Sequence, residues 1–300
     1  MKATFPLHGP LDLRRTLRSL PMWGVAPWLR VDDSGAWYAR RTKAGPATVH
    51  IRHRGDHLIA EAFGDGAALL MDDAPGLCGL DTHGAAGVQP QCEVVRELKK
   101  RLVGLRTPRS GQVVPMLITT ALSQKVTGPN SAGACKRIAW WWGEPAPGPR
   151  DDLRLLPAPR DLERRPSYGY APLGIERRRA DLVRLIASRH VAMQRAARMP
   201  FPAARAHLEK LPGIGPWTSG VVMGGPLGDP DAVPIGDYHL ANWVAWNLAG
   251  EPRADDARMM ELLAPYPGQR GLVARMIQIG GEPPPKWGPR NTVQDLRDLA

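Results

Sequence analysis

One aspartate in the C-terminal half of the sequence has a context that suits catalysis. Asp237 follows a stretch rich in glycine and proline, residues 224–236, and precedes an apolar segment that predicts a helix over residues 237–248. A carboxylate at the mouth of a helix can stabilise developing positive charge or orient a water molecule. It can also be only the N-cap of the helix, a role that aspartate favours. The sequence leaves both roles open, and one residue can fill both.

A glycine-rich turn lies upstream of this aspartate. The segment LPGIGPWTSG occupies residues 211–220, and the flanking patterns predict a helix-hairpin-helix over about residues 202–224. Gly213 and Gly215 permit backbone angles and close approaches that a Cβ atom would obstruct, and Pro216 suits the first position of a helix. Turns of this kind also join helices in proteins that bind no ligand there.

The same turn can expose backbone amides. The N–H groups of Gly215, Trp217 and Thr218 come at the start of the second predicted helix, where the helix dipole is positive. With Gly213 shaping the turn, this arrangement predicts a site for one phosphate group. The 40 Lys and Arg residues exceed the 29 Asp and Glu residues, giving a net charge of +11, which favours a polyanionic partner without proving one.

The elements around these residues predict two domains. Residues 1–86 contain a short helix and three alternating segments, 37–40, 48–52 and 58–63, which predict a small α+β domain. Residues 87–300 are almost wholly helical in pattern, so the predicted fold class is mainly α. The predicted helices cover residues 93–103, 113–122, 131–142, 176–199, 202–210, 216–223 and 237–248. Five prolines between residues 145 and 159 predict a stiff linker between two helical lobes.

Composition excludes several kinds of protein. Cys78, Cys92 and Cys135 are odd in number and form no CxxC pair, so they cannot build a disulfide framework or a four-cysteine metal cluster. The histidines show no ligand spacing on one helix, and we expect no metal site. No segment approaches the roughly 18 apolar residues of a membrane span, and the N-terminus lacks a signal pattern. We therefore expect a cytoplasmic protein with no membrane partner.

Taken together, the motifs resemble the helix-hairpin-helix, Gly/Pro-rich loop, aspartate superfamily of DNA glycosylases, and within it the 3-methyladenine DNA glycosylase II branch. LPGIGPWTSG is similar to the hairpin of that branch, and VPIGDYHL, residues 233–240, is similar to its segment with the catalytic aspartate. The separation of 20 residues between Trp217 and Asp237 (237 − 217) is also similar. The resemblance covers most of residues 90–285.

Two further segments carry the resemblance, and one position departs from it. ALSQKVT, residues 121–127, resembles the buried helix and DNA-probing loop of the branch, and LGIERRRA, residues 173–180, resembles its Gly-x-x-x-x-(Lys/Arg)-Ala element. The branch often has an aromatic residue immediately before Arg270, where this sequence has Gln269. That departure leaves the choice of substrate open.

The resemblance implies a fold and a set of site residues. We expect two helical lobes of the helix-hairpin-helix glycosylase fold behind the small N-terminal α+β domain. Asp237 would be the catalytic residue, and the hairpin amides would bind the DNA backbone. A base flipped out of the duplex needs a pocket, and a side chain must fill its place in the stack. The expected pocket residues are Trp217, Tyr238, Gln124 and Tyr266, and the expected intercalating residue is Lys125 or Val126.

The predicted reaction follows from the residue at one hairpin position. Bifunctional members of the superfamily have a lysine nucleophile there, whereas this sequence has Trp217. We therefore expect a monofunctional N-glycosylase that hydrolyses the N-glycosidic bond of alkylated purines, of the 3-methyladenine type, and leaves an abasic site. Its partner would be double-stranded DNA containing a damaged base, and the protein would be a monomer associated with a bacterial nucleoid.

No cofactor is expected, although the resemblance allows a monovalent cation at the backbone carbonyls of the hairpin. Two other functions fit the same residues. One is a helix-hairpin-helix protein that binds DNA or senses damage without catalysis. The other is a glycosylase for a neutral base, either deaminated or oxidised. The arginines at positions 177, 178, 179 and 275 could help bind the DNA backbone, but a run of charge is usually a solvated helix face, so none of them is assigned a role.

Overall fold

The N-terminal part of the protein is built on a five-stranded antiparallel sheet. The computed structural model describes residues 1–21, 26–82 and 84–285, so residues 286–300 of the predicted helical domain lie outside the described residues. The strand order is β1-β5-β4-β3-β2. The strands are β1 (Lys2–Pro6), β2 (Leu29–Asp32), β3 (Gly35–Thr42), β4 (Gly45–Arg54) and β5 (His57–Phe63).

Alternation along the strands creates the core of this part. In β5, Leu58, Ala60 and Ala62 are buried while their neighbours are partly exposed, as the period of two in a half-buried strand requires. Helices α1 (Leu13–Arg18) and α2 (Ala67–Leu77) cover the buried face. The predicted fold class, a mainly helical protein with a small N-terminal α+β part, is confirmed. The predicted boundary at residue 86 stays a prediction.

The rest of the described chain is mostly helical. Its α-helices are α3 (Glu93–Arg101), α4 (Val113–Leu122), α5 (Gly128–Trp142), α6 (Pro159–Arg164), α7 (Arg177–Ser188), α8 (His190–Gln194), α9 (Phe201–Glu209), α10 (Pro216–Gly224), α11 (Leu240–Ala249), α12 (Asp256–Leu263) and α13 (Arg270–Gly280). Short 3₁₀ turns cover Ala85–Gly87, Ser167–Leu173 and Arg195–Arg198. No helix in the described ranges has the length and apolar character needed to cross a bilayer.

These helices bury two separate apolar cores. The core of the first lobe is formed by residues of α4 to α10, between residues 113 and 232. The core of the second lobe combines α3 and its flanks, residues 85–105, with α11, α12 and α13. The chain therefore enters the second lobe first, crosses to the first lobe after residue 105, and returns after residue 232.

The proline-rich segment is not the predicted linker between lobes, because α5 before it and α6 after it pack in the same core. The segment instead forms a two-stranded hairpin, β6 (Glu144–Pro145) with β7 (Arg154–Leu155). Leu153 and Leu155 of this hairpin are buried against Trp37 of the N-terminal sheet. Burial of these leucines ties the insertion to the sheet, and the prolines shape its turn.

The helix predicted over residues 176–199 is broken, so that prediction was wrong in its length. Helix α7 ends at Ser188, and α8 brings Gln194 to the start of α4. The side chain of Gln194 accepts a hydrogen bond from the Val114 N–H at 3.3 Å and donates one to the Gly111 carbonyl at 2.5 Å. The break thus satisfies an amide that the first turn of α4 leaves without an intrahelical partner.

Candidate active site

Trp217 and Asp237 meet where the two lobes join. Trp217 lies in the first turn of α10, in the first lobe, and Asp237 lies just before α11, in the second. The indole N–H of Trp217 donates a hydrogen bond to Asp237 Oδ2 at 3.0 Å. Both side chains are half-buried. The predicted catalytic residue and one predicted pocket residue are therefore in direct contact.

The second carboxylate oxygen of Asp237 is also held. Oδ1 accepts hydrogen bonds from the backbone N–H groups of His239 and Leu240, each at 2.9 Å. Helix α11 begins at Leu240, so the helix predicted from residue 237 starts three residues later and Asp237 precedes it. Its carboxylate still satisfies an amide of the first turn. Capping and catalysis are compatible here, as the sequence allowed.

The loop that carries Asp237 is fixed at two points. Gly236 has a φ of +86°, a region that favours glycine, and its N–H donates to the Asp256 carboxylate at 2.9 Å. On the other side, a Cβ atom on Gly220 of α10 would lie 2.6 Å from the Cα of Pro234, so the helix and the loop are in backbone contact. The sequence does not predict this role for Asp256, because an aspartate at the start of a helix such as α12 is usually only a helix-end charge.

The turn between α9 and α10 has the predicted hairpin geometry. Gly213 has a φ of +90°, and a Cβ atom there would come within 2.8 Å of the Leu182 side chain. Gly215 is extended, and a Cβ atom there would meet open space. Within the described ranges, the backbone N–H groups of Gly215, Trp217 and Thr218 donate to no protein acceptor. Three free amides at a helix start form the arrangement that binds an anion.

The side chain of Gln124 contacts this hairpin. Its amide donates to the Gly213 carbonyl at 3.0 Å and to the Thr218 hydroxyl at 3.2 Å. Both donor hydrogens are used on the protein, and a role for Gln124 in the base pocket stays a prediction. The contact ties the loop after α4 to the turn before α10.

The loop after Gln124 presents the two candidate intercalating residues. Lys125 is exposed and has a φ of +57°. In the described part of the chain, no other non-glycine residue has a positive φ. Val126 is half-buried. Such a conformation in a non-glycine residue costs energy and often marks a functional loop. The choice between the two residues stays a prediction.

The two predicted tyrosines occupy different surroundings. Tyr238 is 82% exposed and lies edge-on to His239, beside Asp237. Tyr266 is buried in the second lobe, where its hydroxyl accepts a hydrogen bond from the Gln91 N–H at 3.4 Å. Burial raises the pKa of Tyr266 to about 12. Tyr266 therefore packs in the core of the second lobe, and its predicted role in the base pocket stays a prediction.

Two other carboxylates near the Gly/Pro-rich loop have structural partners. Asp231 pairs with Arg270, whose Nε donates to Oδ1 at 2.8 Å. Burial opposes its ionisation, but the hydrogen bonds from Arg270 outweigh that effect and lower the pKa of Asp231. Asp229 is buried, which raises its pKa, and it accepts a hydrogen bond from the Asp231 N–H. Both residues shape the connection between the lobes.

The position that departs from the family pattern lies at the start of α13. Gln269 directs its side-chain amide to the Gly87 carbonyl at 3.4 Å. A contact within the second lobe is therefore made where the branch often has an aromatic ring. Further along α13, Arg275 donates to the Gly224 carbonyl at the end of α10, so it bridges the lobes.

The residues present give no firm support for a bound ion. In the described part of the chain, no group of three or more His, Cys, Asp or Glu side chains could hold a metal. For the monovalent cation at the hairpin, the Leu211 carbonyl already accepts from the Ile214 N–H, and the Gly213 carbonyl accepts from Gln124. The monovalent cation remains an expectation from the resemblance.

Comparison with known proteins gives similarity in sequence to a DNA repair enzyme and similarity in fold to several solved structures. No family model matches the sequence. A stretch of 158 residues, 52% of this chain, is 28% identical to the probable bifunctional transcriptional activator/DNA repair enzyme AlkA of Mycobacterium tuberculosis. The match spans 31% of that relative, so the chain corresponds to about a third of its length.

The fold neighbours cover nearly the whole chain. The 3-methyladenine DNA glycosylase of Archaeoglobus fulgidus superposes with a TM-score of 0.76 at 15% identity, covering 92% of this chain and 97% of that one. The 8-oxoguanine glycosylase/lyase of Clostridium acetobutylicum gives a TM-score of 0.70 at 11% identity, covering 92% and 95%. At these identities the likeness establishes the fold.

The chain has the fold of the helix-hairpin-helix DNA glycosylases, and part of its sequence is similar to a DNA repair enzyme. Its fold, the sequence relationship to a DNA repair enzyme, and the Trp217–Asp237 pair at the expected place agree on this point. The predicted resemblance is thereby confirmed, including support for the 3-methyladenine DNA glycosylase II branch. The structure brings the hairpin into contact with Gln124 on one side and with Asp237 on the other.

Proposed function

We propose that this protein is a monofunctional DNA N-glycosylase that removes alkylated purines, of the 3-methyladenine type, in base-excision repair. The observation that carries the proposal is the Asp237 carboxylate, fixed by three hydrogen-bond donors beside a hairpin with free backbone amides. The sequence relative with DNA repair in its name and the fold neighbour named for 3-methyladenine support the substrate class.

The chemistry of this site fits charge stabilisation followed by attack of water. The hairpin amides hold a backbone phosphate while the damaged nucleotide leaves the duplex stack. The bond between C1′ and the base nitrogen breaks, and its electron pair leaves with the base. Asp237 stabilises the positive charge on the sugar, and water adds its oxygen to C1′ and loses a proton. The product is an abasic site in an intact strand.

An alkylated purine suits a site with one fixed carboxylate. A base methylated at N3 or N7 already carries positive charge, so it departs as a neutral molecule without a proton from a strong general acid. Trp217 and the exposed ring of Tyr238 flank Asp237 and are the proposed walls for the flipped base. Lys125 or Val126 would fill the vacated position in the stack.

The absence of an amine at position 217 makes the proposed enzyme monofunctional. A lysine there could form a Schiff base with the sugar and lead to strand cleavage, whereas an indole cannot. The indole N–H is also committed to Asp237. Because water is the nucleophile, the proposed reaction needs no organic cofactor. We propose that the protein acts on double-stranded DNA as a monomer.

The test uses duplexes that carry 3-methyladenine, 7-methylguanine, hypoxanthine, 1,N6-ethenoadenine, uracil or 8-oxoguanine. We expect strand breaks with the alkylated purines only after treatment with alkali, and no protein–DNA adduct after borohydride. Asp237→Asn keeps the size of the residue and one acceptor oxygen for capping, but it removes the charge and the oxygen that accepts from Trp217, so excision should fall by about two orders of magnitude or more. Folding and affinity for abasic DNA should stay close to those of the wild type.

Each alternative predicts a different pattern in the same experiment. A damage sensor would bind these duplexes and release no base. A glycosylase for neutral lesions would release hypoxanthine, uracil or 8-oxoguanine in preference to the methylated purines. Trapping by borohydride would contradict the monofunctional assignment. Near-normal excision by Asp237→Asn would limit Asp237 to its capping role.

A further inference from the structure

The first two turns of α7 lie between the hairpin and the probing loop. On one side, the Leu182 side chain fills the space next to Gly213, where a Cβ atom would come within 2.8 Å of it. On the other side, Arg179 donates to the Leu122 carbonyl at 3.0 Å, at the end of α4 and just before Gln124. Contacts with both elements place the start of α7 beside the proposed DNA-binding face.

The three consecutive arginines at this place have different surroundings. Arg179 is 3% exposed, and its guanidinium donates to the Leu122 carbonyl and pairs with Glu176. Arg177 is exposed but pairs with Asp181, one turn along the helix, at 3.7 Å. Arg178 is exposed, and within the described residues it has no ion pair and no hydrogen bond.

The helical period gives Arg178 a direction that Arg177 lacks. Residues four apart lie on the same face of a helix, so Arg178 shares a face with Leu182, which touches the hairpin. Arg177 shares its face with Asp181 instead. Among the described residues, Arg178 is thus an unpaired cation on the face of α7 whose Leu182 contacts Gly213.

We propose that Arg178 binds a phosphate of the DNA strand that the hairpin holds, as a second anchor beside the backbone amides. The hairpin offers neutral N–H groups, so it contributes dipoles without a full charge. A free guanidinium next to it adds charge-assisted hydrogen bonds and releases a counterion from the DNA. The proposal rests on the proposed function only in taking duplex DNA as the ligand.

Salt dependence of binding tests this anchor, with the neighbouring arginine as matched control. We would measure the affinity of the wild type, Arg178→Gln and Arg177→Gln for an undamaged duplex and for a duplex with an abasic site, across several salt concentrations. Loss of one phosphate contact should reduce the slope of log affinity against log salt by about 0.9. We expect this reduction for Arg178→Gln, equal for both duplexes, and an unchanged slope for Arg177→Gln.

Two results would overturn the proposal. One is a wild-type slope for Arg178→Gln, and the other is an equal reduction for both variants, which would indicate only the general effect of net charge. Arg178→Lys should restore the slope, because it restores the charge. Failure of the proposed glycosylase function would be recognised separately, by absence of excision in the wild type, because the salt slope is measured on binding alone.

Discussion

The Asp237 carboxylate receives one indole N–H and two backbone N–H groups, and the three donors come from two lobes. Hydrogen bonds to an ionised group are stronger than those between neutral groups, so they fix the direction of both oxygens. A carboxylate that must stabilise a developing charge benefits from this, because it needs no reorganisation when the charge appears. At this scale Trp217 is a positioning residue for Asp237 as well as a proposed wall.

Trp217→Phe should separate these two roles, because it keeps an aromatic ring and removes the N–H donor. A lost hydrogen bond to a charged group is worth about 1.5–3 kcal/mol, so we expect a fall of roughly 10-fold to 100-fold in the single-turnover rate. Affinity for abasic DNA should change little. In the Asp237→Asn background the same substitution should have a much smaller effect, which a purely structural role would not produce.

Trp141→Phe supplies the control for this prediction. Trp141 is 63% exposed near the end of α5, and its substitution should leave the excision rate unchanged. If Trp217→Phe excised at the wild-type rate, or if its effect were undiminished without the Asp237 charge, the hydrogen bond would have no part in catalysis.

At the scale of elements, the hairpin combines a conformational requirement with an open binding face. Gly213 is restricted by its positive φ and by Leu182, whereas Gly215 has an ordinary extended backbone and free space around its missing Cβ. The first glycine is needed for the fold of the turn. The second is needed, on our proposal, for the approach of a phosphate.

Gly215→Asp should therefore weaken binding to every duplex without unfolding the protein. The new side chain points into free space in the protein alone, but its carboxylate would repel the phosphate at the amides. Gly215→Ala adds a Cβ atom without charge and should lose less affinity. The measurement is a titration with damaged and undamaged duplexes, with circular dichroism to verify folding. Wild-type affinity for Gly215→Asp would remove the hairpin from the interface.

At the scale of the whole molecule, the two lobes are held together by contacts along the connection between α10 and α11. Arg270, at the start of α13, pairs with Asp231 through its side chain and through its backbone N–H at 3.0 Å. The backbone of Ala232 also lies against Gly271, so a Cβ atom added to this glycine would collide with the Ala232 carbonyl oxygen. Relative motion of the lobes would move Trp217 and Asp237 apart, so this joint supports the site.

Asp231→Asn should lower the free energy of unfolding by about 1–2 kcal/mol at pH 7, a modest value because the pair is partly exposed. Hydrogen bonds from Arg270 hold the pKa of folded Asp231 below its ordinary value, so the stabilisation is present above that ordinary value and is lost as the pH falls through the folded pKa. Denaturation of both proteins between pH 7 and pH 3 measures this.

The difference between wild type and Asp231→Asn should thus shrink towards acid. Arg258→Gln is a matched control, since Arg258 pairs with Glu251 on the surface and its loss should have a smaller effect. A difference that stayed constant with pH would show that the charge of Asp231 does not stabilise the joint.

The sequence by itself determined the local parts of this protein. The Gly-Ile-Gly-Pro turn, the Gly/Pro-rich loop and the position of Asp237 depend on backbone preferences of a few neighbouring residues, and the structure has them where they were predicted. Alternation fixed the inner strands of the N-terminal sheet for the same reason. The family resemblance followed from these short patterns and their spacing.

Tertiary structure decided which predicted side chains share a site. Gln124 and Tyr266 carry the residue types of a pocket, yet one braces the hairpin and the other is buried in the second lobe. The proline-rich segment packs on the sheet because Leu153 and Leu155 find a partner surface there. Each outcome depends on contacts between residues that are distant in sequence, and local patterns cannot specify the partners in such contacts. The free energy of burial depends on both surfaces that come together and not on either segment alone.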